Sequence, residues 1–108
     1  VTSAVFRGNR LRGIPDSIGD FEVLRELQAD NNELISLSPR LGSLWQLMTL
    51  NLANNLLNAL PPSASGLSML LRLSLMDNQF HSVPPCVRSM TRLRTLNMDN
   101  NALQRMPE

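Results

Sequence analysis

Apolar residues recur along the chain with a period of 23 residues, and the register holds from one end to the other. In each unit they occupy positions one, four, six, eleven, fourteen, eighteen and twenty-one. In the third unit these residues are Leu47, Leu50, Leu52, Leu57, Leu60, Ala64 and Leu67. The period predicts one repeat domain over residues 1–108, with units 1–23, 24–46, 47–69, 70–92 and an incomplete unit 93–108.

Two shorter periods lie within each unit. The first part alternates apolar and polar residues, as in Leu50, Asn51 and Leu52, which is the pattern of a strand with one buried face. The second part has apolar residues three apart, such as Ile18 and Phe21, which suits one short helical or 3₁₀ turn. Successive strands must then be parallel, about 4.8 Å apart, with the bulkier turns on the outside of a curve. We expect an α/β solenoid with a concave parallel sheet, its strands centred on Ala4, Leu27, Leu50, Leu73 and Leu96.

Asparagine occupies position nine of every unit. After each strand the backbone must turn inward and bury amide groups that no strand ladder satisfies, and an asparagine amide can both donate to and accept from them. We expect a structural ladder in which each side chain bridges its own turn and that of the next unit: Asn9, Asn32, Asn55, Asn78 and Asn101. The asparagines at position eight (Asn31, Asn54, Asn100) should face solvent, so Asn54→Ala should change the free energy of unfolding by less than about 0.5 kcal/mol.

The units resemble the leucine-rich repeat pattern LxxLxLxxNxLxxLPxxLxxLxx over the whole chain. The 23-residue length and the phrase "IPDSIG" at residues 14–19 look most like the intracellular subclass found in Ras-suppressor-type and cell-polarity scaffold proteins. Ser38 departs from the pattern, because proline is usual at that position and Pro39 follows one place late. The resemblance implies a protein-interaction module of a larger signalling or scaffold protein, with a small GTPase or other signalling protein as partner.

Composition and charge bear on the class of partner and on the cellular location. Ten arginines against nine acidic residues give a net charge of +1 with no charged block, so charge indicates neither a nucleic-acid nor a membrane partner. No apolar run approaches the roughly 18 residues of a membrane span, and no signal peptide is visible. Cys86 is the single cysteine, which favours an intracellular, cytoplasmic location. Neither end has a distinct polar cap, so we expect a piece of a longer array.

The sequence indicates no catalysis and no cofactor. His81 and Cys86 lie five residues apart, but both occupy ordinary loop or convex positions, with no orienting residue and no oxyanion hole. The Asp-Asn pairs beginning at Asp30, Asp77 and Asp99 fall on different strands, whereas calcium needs several oxygens within one short loop. We therefore expect no enzyme and no metal site.

What remains is the outward surface of the strands. Met48, Leu71 and Met76 should form an apolar spot flanked by arginines, which is typical of protein-binding surfaces. We expect a protein partner to bind this concave face through Arg25, Gln28, Met48, Asn51, Leu71, Arg72, Ser74, Met76, Arg94 and Asn97. Two alternatives stay open: a regulatory segment of a multidomain signalling enzyme such as a cyclase, kinase or phosphatase, or an architectural repeat that makes contacts through its convex side or its ends.

Overall fold

Five short parallel strands form one sheet in chain order. The computed structural model describes residues 2–8 and 10–102. The strands are β1 (Ser3–Val5), β2 (Glu26–Gln28), β3 (Thr49–Asn51), β4 (Arg72–Ser74) and β5 (Thr95–Asn97). Their central residues pair in register as Ala4, Leu27, Leu50, Leu73 and Leu96. The predicted leucine-rich repeat solenoid and its strand centres are confirmed.

A five-residue 3₁₀ helix follows each of the first four strands on the convex side. The four helices are η1 (Asp16–Asp20), η2 (Pro39–Ser43), η3 (Pro62–Gly66) and η4 (Pro85–Ser89). Three of them are preceded by proline, and Ser38 takes this place before η2, where its Oγ accepts a hydrogen bond from Arg40 N at 3.0 Å. The same hydroxyl lies 2.5 Å from Asp16 Oδ1, so the departure from proline supplies both a helix cap and a link to the preceding unit.

The convex helices pack closely where glycine allows it. A Cβ built on Gly42 would lie 2.1 Å from the carbonyl oxygen of Ser63 in the next helix. Ser63 Oγ in turn donates a hydrogen bond to Pro39 O at 2.5 Å. Backbone therefore packs directly against backbone between η2 and η3, which leaves no room for a side chain at position nineteen of the second unit.

The core lies between the sheet and the convex helices. All seven apolar positions of the second and third units are buried, from Leu24 to Leu44 and from Leu47 to Leu67. In the first unit Phe21 is 46% exposed, although Leu44 and Leu67 at the equivalent position are fully buried, and Ala4, Phe6 and Leu11 are only half-buried. In the described structure the first unit has a neighbour on one side only, so less of its core is covered.

The asparagine side chains of position nine lie in the turn that follows each strand. Asn55 Nδ2 donates to the carbonyl oxygens of Leu52, Ala53 and Ala29, at 3.0, 3.1 and 3.1 Å, and Asn55 Oδ1 accepts from Leu34 N at 3.0 Å. The same pattern is repeated by Asn32, Asn78 and Asn101. Each side chain reaches the preceding unit, not the next one as expected. Asn9 lies outside the described residues.

At position eight of each unit the backbone is left-handed, which the alternation of apolar and polar residues does not predict. The asparagines there are exposed, as predicted, but φ is positive in every unit: 73° at Gly8, 59° at Asn31, 57° at Asn54, 55° at Asp77 and 57° at Asn100. Glycine, asparagine and aspartate are the residues that best tolerate this left-handed conformation. We therefore revise the expectation of a nearly neutral Asn54→Ala, because alanine at this positive φ should cost about 1 kcal/mol.

Candidate interaction surface

The residues at position five form a polar column across the concave face. Gln28, Asn51, Ser74 and Asn97 are Cα partners in adjacent strands. Asn51 Nδ2 donates to Gln28 Oε1 at 3.0 Å, and Asn97 Nδ2 points at Met76 Sδ at 3.6 Å. Asn51 Oδ1 accepts from Ala53 N and Asn97 Oδ1 from Asp99 N, which fixes both side chains. The column thus presents ordered amide groups and a hydroxyl to a partner.

The residues at position two line the edge where the strands begin. Met48, Leu71 and Arg94 follow one another through backbone hydrogen bonds, from Leu71 N to Met48 O at 2.8 Å and from Arg94 N to Leu71 O at 2.9 Å. Arg25 precedes Met48 in the same row. Met76 instead lies five residues beyond Leu71, at the other end of β4. Met48 and Leu71 adjoin one another, whereas Met76 follows the end of β4, at most about 16 Å from Leu71 if the five intervening steps of the chain are fully extended. The expected apolar spot is therefore continuous for Met48 and Leu71, with Met76 beyond the opposite end of the strand.

A shallow hollow of about 230 Å³ opens on the concave face around Arg72. Its rim includes Thr49 and Thr95, which are the Cα partners of Arg72 on either side. These two threonines were not among the predicted site residues, although they share position three with Arg72 in the sequence. That shared column is the signal that could have identified them. Five of the ten predicted residues line the hollow: Gln28, Asn51, Arg72, Ser74 and Asn97.

One arginine of the concave face is ion-paired, whereas Arg25, Arg72 and Arg94 form no ion pair with a described residue. Arg7 Nε forms an ion pair with Asp30 at 3.0 Å, and Ser3 Oγ donates to Glu26 Oε1 at 3.0 Å. Arg72 and Arg94 are exposed and form no ion pair with any described residue. The two guanidinium groups are therefore available to a partner.

The convex side carries a different hollow, of about 400 Å³, between η3 and η4. Leu60, Pro62, Pro85 and Cys86 contribute to its lining. Burial raises the pKa of the Cys86 thiol, which opposes formation of the nucleophilic thiolate, and His81 is exposed. Neither feature indicates an activated Cys–His pair at this position.

The described residues, 2–8 and 10–102, contain neither a metal-binding cluster nor a membrane-spanning helix. No three His, Cys, Asp or Glu side chains converge there as a metal site would require. No helix in those residues has the length and apolar character needed to cross a membrane.

Solved structures similar to this chain are leucine-rich repeat proteins. A leucine-rich repeat protein of Leptospira interrogans is 35% identical, with a TM-score of 0.88 over 91% of this chain and 25% of its own. The plant peptide hormone receptor RGFR1, solved in complex with RGF2, is 27% identical, with a TM-score of 0.83 over 95% of this chain and 17% of its own. The leucine-rich repeat domain of APL1B shares the fold at 20% identity, with a TM-score of 0.85 over 99% of this chain and 32% of its own.

The chain thus spans a third or less of each of these proteins. No curated protein sequence matches it significantly. The family model described as "Leucine rich repeat" matches residues 45–103, which is more than half of the chain. Leucine-rich repeats are in general a non-enzymatic fold for protein interaction, and this chain belongs to the leucine-rich repeat family.

Proposed function

We propose that the concave face binds a protein partner, and that the chain serves as an interaction module within a signalling or scaffold protein. The observation that carries the proposal is the hollow around Arg72, where an unpaired guanidinium lies between two threonines on a rigid parallel sheet. Arginine beside partly buried apolar residues such as Leu71 is typical of binding hot spots. The partner would contact Arg72 first and the ordered amides of position five around it.

Rigidity favours this face over the exposed loops. The side chains of Asn51 and Asn97 are held by their own backbone, so they lose little conformational freedom when a partner binds. RGFR1, a protein of the same fold, was solved with RGF2 bound, which supports a polypeptide as the class of partner. A signalling protein, including a small GTPase, is the partner that the resemblance to Ras-suppressor-type repeats favours.

We further propose that the protein lies inside the cell. Cys86 is the single cysteine of the sequence, so the chain has no internal disulfide, and a free thiol persists most readily in a reducing compartment.

The test compares two arginines that differ in location. Arg72 is exposed on the concave face and Arg88 is exposed in η4 on the convex side, so charge and residue type are matched. After affinity capture has identified the partner, its dissociation constant is measured with the native chain and with Arg72→Ala and Arg88→Ala. We expect Arg72→Ala to weaken binding by about thirtyfold, the equivalent of about 2 kcal/mol, and Arg88→Ala to leave it unchanged.

The reverse outcome would refute the concave-face proposal. Loss of binding with Arg88→Ala and retention with Arg72→Ala would move the function to the convex side, where Arg88 lines a hollow of about 370 Å³ with Val83 and Val87. That result would favour an architectural role for the repeat.

A further inference from the structure

Charged residues at the two ends of strands β4 and β5 have opposite signs. Arg72 is the first residue of β4, and Asp77 lies five residues after Arg72. In the next unit Arg94 and Asp99 are also five residues apart. Five residues of extended chain span about 16 Å. The beginning of these strands is therefore basic and their end is acidic.

The basic edge is enlarged by a third arginine. Arg92 and Arg94 line a hollow of about 460 Å³ together with Leu71 and Thr91. Arg72 lies at the start of the neighbouring strand, one residue beyond Leu71. None of the three arginines forms an ion pair with residues 2–8 or 10–102. Like charges held close together repel, and an anion bound among them removes that cost.

The acidic edge is also unpaired in the described structure. Asp99 is exposed and Asp77 is half-buried, and neither makes a salt bridge with a described residue. Asp30, which takes the position of Asp99 in the second unit, is instead neutralised by Arg7. Arg72, Arg94, Asp77 and Asp99 are thus unpaired among the described residues of the fourth and fifth units, as Arg25 is in the second.

The charges at the basic edge and at the acidic edge are too far apart to interact strongly with one another. Their separation of about 16 Å exceeds the Debye length of about 8 Å at physiological ionic strength. A partner that crosses the strands meets both signs in succession. A long polyanion that covered the whole face would bring its charge against Asp77 and Asp99, which disfavours nucleic acid.

We propose that the concave face binds an extended protein segment in which an acidic and a basic residue are four to six residues apart. The segment runs along the direction of β4 and β5, with its acidic residue over Arg72, Arg92 and Arg94 and its basic residue over Asp77 and Asp99. Between them it passes over Ser74 and Asn97, whose polar groups face outward at position five. This inference rests on the proposed function and adds the charge pattern of the partner.

The experiment selects peptides from a displayed library of random 12-residue sequences on the immobilised 108-residue chain at low ionic strength. We expect the selected peptides to contain an acidic and a basic residue four to six positions apart at least about threefold more often than the unselected library. The dissociation constant of one selected peptide is then measured by fluorescence anisotropy. Arg94→Ser and Asp99→Ser should each raise it by about threefold, whereas Arg88→Ser on the convex side should not change it.

Several results would overturn the inference. Selected peptides without the charge spacing, or no selected peptide at all, would contradict it. Self-association of the chain in sedimentation analysis, lost with Asp99→Ser, would assign the surface to a second copy of the chain. Peptides without the spacing that lose affinity with Arg72→Ala would refute the charge pattern and leave the concave-face function standing. Peptides that lose affinity only with Arg88→Ala would refute both.

Discussion

Replacing Asn55 with alanine removes one side chain from the middle of the asparagine ladder. The native amide donates to three carbonyl oxygens and accepts from Leu34 N, and Asn55 is only 5% exposed. Alanine can make none of these hydrogen bonds, and the burial of the site keeps water from replacing them.

Only one of the four backbone groups loses its last partner. Leu52 O still accepts from Asn78 Nδ2 at 2.9 Å, and Ala29 O still accepts from Asn32 Nδ2 at 3.0 Å. Ala53 O keeps the backbone N–H of Asn31 at 3.0 Å. Among the described residues Leu34 N has no such second partner, and Leu34 is fully buried. The cost is therefore that of one unsatisfied buried N–H, about 1–3 kcal/mol, and not several times that value.

Urea unfolding followed by circular dichroism measures this cost. With a denaturant slope of about 2 kcal/mol/M, a loss of about 2 kcal/mol lowers the midpoint by about 1 M. Asn58→Ala is the matched control, because Asn58 is exposed and should change the free energy of unfolding by less than about 0.5 kcal/mol. Equal midpoints for the two variants would refute the ladder's contribution to stability.

Three further substitutions test particular contacts. Gly42→Ala should lower the free energy of unfolding by about 2 kcal/mol or more, because the new Cβ would clash with the Ser63 carbonyl oxygen. Gly13→Ala, where a Cβ would have open space around it, should be nearly neutral, and thermal unfolding of the two variants measures the difference. Asn54→Ala should cost about 1 kcal/mol and Asn54→Gly much less, because φ is 57° there; equal costs in urea unfolding would contradict the backbone explanation. Asn55→Asp should place a carboxylate against carbonyl oxygens and raise its pKa above the usual value of about 3.9. Its destabilisation relative to the native chain should therefore shrink as the pH falls from 7 towards about 4, and a penalty independent of pH over that range would be the contrary result.

The register of the fold could be predicted because the sequence repeats it. Each buried strand centre, such as Leu50, recurs with the same sequence neighbours. A shift of the strand register by one residue would therefore move the buried leucines of all units to the solvent-exposed face. The short convex helices also followed from the three-residue spacing after proline. The positive φ at Asn54 did not follow from hydrophobic periodicity, because that pattern reports burial and not backbone conformation. The identities at position eight carried the information instead.

The candidate surface was harder to predict. Column positions placed Gln28 and Asn51 correctly beside one another, since register alone decides that contact. The separation of Met76 from Leu71 depends on the length of the strand, which is only three residues before the chain turns. The unpaired state of Arg72 and the ion pair between Arg7 and Asp30 depend on side-chain geometry, which the spacing of charges does not determine.

Photo-crosslinking tests most directly whether the concave face is the binding surface. A benzophenone amino acid is placed at Thr95, exposed on β5, and separately at Ser65, exposed in η3 on the convex side. Each labelled chain is mixed with the captured partner and irradiated, and the crosslinked product is quantified by gel electrophoresis and mass spectrometry. We expect crosslinking from Thr95 and little from Ser65. Efficient crosslinking from Ser65 with none from Thr95 would contradict the account.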